Sequence, residues 1–141
     1  MSISHTMMIH QAIHWSDVSD KSLWPMATCH EVLLWNTVPD PCKGLSPQEI
    51  FTGTRQDPSV FHKFHVWGCP VYLLDKAIVD GKKIPRFKTR SERCVHLGFS
   101  PHHSSDLPMI LQTCTGSVIT CFHTSYDDHF ATVSFNALLP E

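Results

Sequence analysis

One short segment holds more than half of the positive charge in this chain. Residues 82–93, KKIPRFKTRSER, contain six of the eleven Lys and Arg residues and one acid, Glu92. The segment therefore carries +5, and the other residues sum to −7 to give the overall charge of −2. Cations at this density can neutralise nucleic-acid phosphates without reading the bases. The candidate nucleic-acid-binding residues are Lys82, Lys83, Arg86, Lys88, Arg90 and Arg93. The alternative is a solvated loop whose charge only keeps the protein soluble.

Three aromatic residues lie in or near this segment, and a ring among phosphate-binding cations could stack on a base. Phe87 lies within the segment, whereas Trp67 and Tyr72 precede it. Trp67 and Tyr72 belong to a run that is typical of a strand. We expect all three rings to be core or strand-face residues rather than stacking platforms.

Acidic residues could hold magnesium for phosphoryl transfer if three of them met in space. Glu31 has no second acid within two helical turns, and Asp127 and Asp128 are adjacent, which points them to opposite faces of a strand. The sequence therefore predicts no catalytic residue and no enzyme activity. The acids considered were Asp17, Asp20, Glu31, Glu49, Asp127 and Asp128.

Histidine and cysteine could instead bind zinc. His62, His65 and Cys69 form an H-x2-H-x3-C run, and His102-His103 follows later. A structural zinc site usually needs two closely spaced ligand pairs, and the chain has no C-x2-C. We expect neither a metal nor another cofactor, and a histidine-based metal-binding protein stays the third alternative.

The six cysteines could act as nucleophiles or form disulfides. Cys94 and His96 would point to the same face of a strand, but both fit an apolar strand pattern and are expected to be structural. Nothing in the N-terminal residues resembles a signal peptide. The cysteines are therefore interpreted as free thiols in a reducing compartment.

Helices are predicted in the first third of the chain. Apolar spacing indicates one helix near Ser4–Trp15 and a second that starts at Pro25 and ends before Pro39. In the segment SPQEIFTG, Ser46 and Glu49 can form a capping box and Gly53 can terminate the helix.

Short strands are predicted from about His65 onward. The segments are HVWGCPVYLL, RCVHLGFS, PMILQT and, after a turn at Thr115-Gly116, SVITCF. Pro70 implies an edge position or a bulge, and the basic segment is a loop between the first two strands. We predict an α+β protein with a helical unit at 1–58, an antiparallel unit at 62–131 and a tail at 132–141.

Several ordered pieces of the chain resemble the integrase region of copia-type retrotransposon polyproteins. They are SLWPMA, LLWNTVPD, GLSPQEIFTG, HVWGCPVYLLD, DGKKIPRFKTRSERCVHLGFSPHHSS and TGSVITCFHTSYDD. Together they cover roughly His5 to Val133, in the family's order and spacing. The chain departs from the family at Thr124-Ser125-Tyr126, where the family has a hydrophobic pair followed by Phe.

The resemblance implies that the helices are the end of an integrase core and that a small SH3-like β-barrel follows. It also implies that the two aspartates and the glutamate of the catalytic triad lie upstream of Met1. The barrel is expected to contact DNA weakly and nonspecifically in support of integration.

The resemblance also implies partners and a location. Other integrase or polyprotein segments are expected partners, a membrane is not, and the family role implies the nucleus. The alternative is a packing or multimerisation module without nucleic-acid binding, since helices cut from their sheet would expose apolar residues. The residues expected to be exposed are Leu23, Met26, Leu33 and Leu34.

Overall fold

Three helices precede five strands, and a fourth, one-turn helix lies between the first two strands. The computed structural model describes residues 2–15, 21–103 and 107–133. The helices are α1 (Ile3–His14), α2 (Trp24–Thr37), α3 (Pro47–Thr52) and α4 (Lys76–Val79). The strands are β1 (Pro70–Leu74), β2 (Ser91–Phe99), β3 (Pro108–Gln112), β4 (Val118–Thr120) and β5 (Thr124–Tyr126). Short 3-10 helices occupy Lys21–Leu23 and Pro58–Lys63. None of the helices in these ranges has the length and apolar content needed to cross a membrane.

The two long helices confirm the predicted ranges, and they pack against each other. The Ser2 hydroxyl caps α1 by accepting the N–H of His5 at 3.3 Å. The carboxylate of Glu31, on α2, accepts the N–H groups of Ile3 and Ser4 at 3.3 and 3.0 Å. Glu31 therefore satisfies free N–H groups at the start of α1 and is not available as a metal ligand.

Helix α3 forms as the sequence predicts. The Ser46 hydroxyl accepts the N–H of Glu49 at 3.2 Å, and the Glu49 carboxylate accepts the N–H of Ser46 at 2.8 Å. Pro47 lies in the first turn, and Gly53 ends the helix with a φ of 69°. This reciprocal cap confirms the predicted capping box.

The five strands form one antiparallel sheet in the order β4-β3-β2-β1-β5. The α+β class is thus confirmed, whereas closure into a barrel is not, because the sheet is open with β4 and β5 as its edges. The prediction for Pro70 was wrong, since it is the first residue of an inner strand, opposite Val95. The predicted first strand also began too early, because Gly68 turns the chain with a φ of 81°.

Both faces of the central strand β2 are buried, in two separate clusters. Val95 and Leu97 pack on one face with Trp15 of the α1 end and Ala27 of α2. Cys94 lies in the second cluster, which also contains the following residues of the strands and of the segment after β5: Cys69, Val71, Leu73, Ile110 and Phe130. The helices therefore cover one face of the sheet and complete its core.

The apolar residues expected on the surface of α2 are not exposed, so that prediction was wrong. Leu23 is buried in the core, and Met26, Leu33 and Leu34 are half-buried. The opposite side of α2 instead exposes the side chains of Trp24, Val32 and Trp35, which we call the α2 stripe. The division at 1–58, 62–131 and 132–141 stays a prediction, and residues 134–141 lie outside the described residues.

Candidate nucleic-acid interface

The basic segment begins as a loop that local structure holds at its first end. Asp75 ends β1 and caps α4, since its carboxylate accepts the N–H of Ala77 at 2.9 Å. Gly81 follows α4 with a φ of 72°, and the N–H of Lys82 donates to the Ala77 carbonyl at 2.8 Å. Residues 82–90 then run without helix or strand into β2, which confirms the predicted loop. We call this segment the basic loop.

Four of the six candidate cations lie free on the basic loop. They are Lys82, Lys83, Arg86 and Arg90, all of which are exposed. Within the described ranges, none of the four makes an ion pair with an Asp or Glu side chain. An exposed, unpaired cation contacts a phosphate without first breaking an internal bond, so these four are the strongest candidates.

Lys88 is engaged by the protein itself. Its Nζ lies 3.3 Å from Oδ2 of Asp75, and its side chain is about half exposed at 54%. The N–H of Ala77 and the ammonium of Lys88 both lower the pKa of Asp75. An ion pair at this exposure contributes little to the stability of the protein. Its position is what matters here, because it brings the loop close to the end of β1.

Arg93 lies on β2 rather than on the loop, and it is exposed beside Trp15 at the end of α1. Its Nη1 donates to the Thr132 carbonyl at 3.1 Å, and its guanidinium carbon lies 5.3 Å from the ring centroid of Trp15. The face of an aromatic ring attracts a cation, so this contact stabilises the position of the guanidinium. The six candidates therefore separate into four free cations, one loop anchor and one packing residue.

The expectation for Phe87 was wrong. Its side chain is 96% exposed, whereas Trp67 is buried in the core and Tyr72 is half-buried on β1, as expected for those two. The N–H of Lys88 donates to the Pro85 carbonyl at 3.1 Å, so residues 85–88 form a turn. Arg86 and Phe87 occupy its two central positions and project from the tip of the loop. The sequence carries no clear signal for this turn, because proline favours the second position of a turn and Pro85 occupies the first.

A groove of about 830 Å³ lies beside the basic loop and has a different charge. Asp75, Asp80 and Glu92 line it, together with one cation, Lys76, and apolar residues such as Leu73. Carboxylates at this density repel a phosphate chain. The four free cations, and not this groove, therefore carry the charge that a phosphate chain would require.

The acids considered as metal ligands are held apart by structural bonds. The Asp127 carboxylate accepts the N–H and the hydroxyl of Thr132 at 2.8 and 2.7 Å. Asp128 instead accepts the Val66 N–H and bonds Nδ1 of His65, each at 2.9 Å. Asp17 and Asp20 lie outside the described residues. Among the residues that are described, no three His, Cys, Asp or Glu side chains could hold a metal ion together.

Two of the histidines considered for zinc, His65 and His103, have other contacts. His65 stacks on Tyr126 with a centroid separation of 3.6 Å and a 5° angle between the ring planes. His103 bonds the Ser100 hydroxyl at 2.7 Å. Burial raises the pKa of Cys69, which opposes formation of the thiolate that zinc requires.

Cys94 and His96 are unsuited to nucleophilic catalysis. Burial raises the pKa of the Cys94 thiol to about 12 and lowers the pKa of His96 to about 3. A catalytic pair needs the opposite, a thiolate beside a base that titrates near neutral pH. All six cysteines are free thiols.

Comparisons with known proteins add no information to this geometry. No protein-family model, no curated protein and no solved structure matches the chain.

Proposed function

We propose that the chain is a non-catalytic fragment of a copia-type retrotransposon integrase, and that its SH3-like part contacts nucleic acid nonspecifically in support of DNA integration. The observation that carries this proposal is the group of four free, exposed cations on the basic loop, Lys82, Lys83, Arg86 and Arg90. The ordered resemblance to the family's segments supplies the biological role.

The SH3-like assignment is part of the proposal. Five short antiparallel strands fit it in number and direction. A closed barrel would also require the edge strands β4 and β5 to meet, and the sheet is open there. The proposed binding needs only the loop between β1 and β2, so it does not depend on closure.

Charge neutralisation sets the expected salt dependence. Four cations on duplex phosphates give a slope of about −3.6 in a plot of log K against log salt concentration. Affinity should then fall by roughly a hundredfold between 50 and 200 mM salt. Dissociation constants of about 10⁻⁴ to 10⁻⁶ M are expected, which is the range of nonspecific binding.

A pair of matched variants tests this assignment. One variant changes Lys82, Lys83 and Arg86 to Gln. Its control changes the exposed cations Lys43, Arg55 and Lys63 to Gln, which removes the same charge from the same residue types elsewhere in the chain.

The measurement is a titration of labelled duplex DNA at two salt concentrations. The loop variant should lose most of the affinity and reduce the slope by about 2.7, while the control changes both much less. Binding that ignores salt, or equal losses in the two variants, would remove the loop from the proposal.

The second candidate function is self-association without nucleic-acid binding, and the α2 stripe favours it. Trp24 and Trp35 are 59% and 70% exposed, and Val32 between them is 53% exposed. Spacings of eight and three residues place all three on one side of the helix. Aromatic residues exposed together are typical of protein interfaces.

Light scattering distinguishes the two functions. Self-association that is lost in the double variant Trp24→Ser/Trp35→Ser and kept in Phe122→Ser, together with no affinity for DNA, would favour the second. A monomer at all concentrations would remove it. Phe122 is a fair control because it is 66% exposed and lies outside the helices.

A further inference from the structure

Phe87 is the most exposed of the aromatic side chains at the surface, and it lies among the free cations. Its 96% exposure leaves both faces of the ring in solvent, and within the described ranges the ring contacts no other aromatic ring. We propose that the turn at residues 85–88 is a stacking site for one unpaired base, so that the preferred ligand of the basic loop is single-stranded nucleic acid. This inference rests on the proposed function, since the neighbouring cations supply the phosphate contacts.

The backbone that carries the ring is held in place at several points. The bond between the Lys88 N–H and the Pro85 carbonyl closes the turn, and the Lys88 ammonium binds Asp75. The N–H of Asp75 also donates to the Arg90 carbonyl at 2.9 Å, which ties the second end of the loop to the end of β1. On such a backbone only the side-chain torsions of Phe87 are ordered on binding, and this favours affinity over that of a ring on a mobile loop.

The residues around the ring match the two chemical parts of a nucleotide. Lys83 and Arg86 are exposed cations that precede Phe87 in the loop, and the exposed Arg90 follows it three residues later. A nucleotide carries a flat π face and an anionic phosphate, which fit an aromatic ring and these cations respectively. No carboxylate lies in residues 81–91 to repel the phosphate.

Single strands fit this arrangement better than duplexes. In a duplex the faces of the bases are already stacked on each other, and insertion of a side chain requires a base step to open. In a single strand the faces are accessible, and stacking on an aromatic side chain strengthens binding by about tenfold per base. A membrane surface is the other ligand that attracts cations beside an apolar ring, but stable attachment needs more buried apolar area than one ring supplies.

The decisive experiment compares two oligonucleotides and two phenylalanines. Labelled 12-nucleotide oligo-dT and a 12-base-pair duplex are titrated by fluorescence anisotropy with wild type, Phe87→Ala and Phe87→Trp. The control is Phe51→Ala, which removes a ring that is 92% exposed on α3, away from the loop.

Phe87→Ala should weaken oligo-dT binding about tenfold and duplex binding less than twofold. Phe87→Trp should keep or improve the affinity for oligo-dT. Phe51→Ala should leave the affinity for both ligands unchanged. An unchanged oligo-dT affinity in Phe87→Ala, with salt-dependent duplex binding intact, overturns the stacking site and leaves the proposed function standing. Failure of wild type to bind either oligonucleotide overturns both.

A third titration separates nucleic acid from a lipid surface. Vesicles of phosphatidylserine and phosphatidylcholine are the probe, measured by co-sedimentation with the same variants. If Phe87→Ala releases the protein from vesicles but leaves oligo-dT binding unchanged, the ring is a membrane contact and the inference is wrong. Loss confined to oligo-dT supports it.

Discussion

Lowering the pH from 7 to 5 should destabilise the protein by about 4 kcal/mol. The reason is that two buried histidines stay neutral in the folded chain, whereas the same histidines bind protons in the unfolded chain. His96 is fully buried, and within the described part of the chain neither of its ring nitrogens has a hydrogen-bond partner. His30, on α2, is 3% exposed, and its Nδ1 also lacks a partner there. Burial lowers the pKa of His96 to about 3 and that of His30 to about 4.

The sign and size of the effect follow from proton binding. Both folded pKa values lie below the unfolded value of 6.5, so the unfolded chain binds more protons between pH 6.5 and about 4. Stability is therefore complete above pH 6.5 and falls as the pH is lowered through that window. At pH 5 each histidine contributes a loss of about 2 kcal/mol, and this value depends mainly on the unfolded pKa.

The surroundings of His96 maintain this difference. Its ring centroid lies 6.2 Å from the ring centroids of both His30 and His65, and a positive charge on either neighbour disfavours a further proton on His96. Asp128 acts in the other direction, but burial is the larger effect. Six described carboxylates also have lowered pKa values, but the stability that they contribute is lost mainly at a lower pH than that of the histidines.

Urea unfolding followed by tryptophan fluorescence at pH 7, 6 and 5 measures the effect. His96→Leu should remove about half of the pH dependence, and it should not destabilise the protein at pH 7 by leaving a polar partner unpaired. His102→Gln, at an exposed histidine, is the control and should leave the dependence unchanged. A wild-type stability that changes by less than about 1 kcal/mol between pH 7 and 5 would refute the reasoning.

Three further predictions concern the fold. A thiol reagent should label the exposed Cys29, Cys42 and Cys114 in the native protein, and should label the buried Cys69 and Cys94 only after denaturant is added. Ser46→Ala should lower the free energy of unfolding by about 1 kcal/mol, measured in urea, because it removes the side-chain acceptor of the α3 cap. Gly68→Ala should destabilise the protein by more than Gly44→Ala in the same assay; both glycines have positive φ, but only at Gly68 would a Cβ lie 3.1 Å from the Gln11 side chain.

Helix ends could be predicted because their signals are local. Ser46, Glu49 and Gly53 satisfy or terminate helix ends within a few residues of themselves, and the structure uses each in the expected way. The same reasoning located β2, β3 and the turn into β4. These elements depend on residues that are close in sequence, so little knowledge of the fold was needed.

Tertiary pairing decided the features that the sequence analysis missed. Strand β5 has only three residues, Thr124–Tyr126, and it forms because these residues pair with Val71–Leu73 of β1. Pro70 fits an inner strand because it is the first residue of β1, where a missing N–H is tolerated. The exposed side of α2 could not be chosen either, because apolar residues occur all round that helix and only the sheet determines which of them are buried.

The candidate site shows the same limit at the level of single side chains. Composition indicated six equivalent cations, but charge alone does not say which of them already has a partner. Asp75 binds Lys88 and caps α4 at the same time. Arg93 donates a hydrogen bond to the Thr132 carbonyl, after β5.

The fixed turn that projects Phe87 depends on Asp75 as well. This acid cancels one positive charge of the basic loop, but it holds the second half of the loop against the end of β1, because its carboxylate binds Lys88 and its N–H donates to the Arg90 carbonyl. A mildly acidic chain can thus present a cationic surface because Asp75 fixes the loop, while two further acids near the loop, Asp80 and Glu92, line the neighbouring groove. In the function proposed above, the strength of phosphate contact depends on the four free cations, and in the proposed stacking site the preference among nucleic acids depends on one ring.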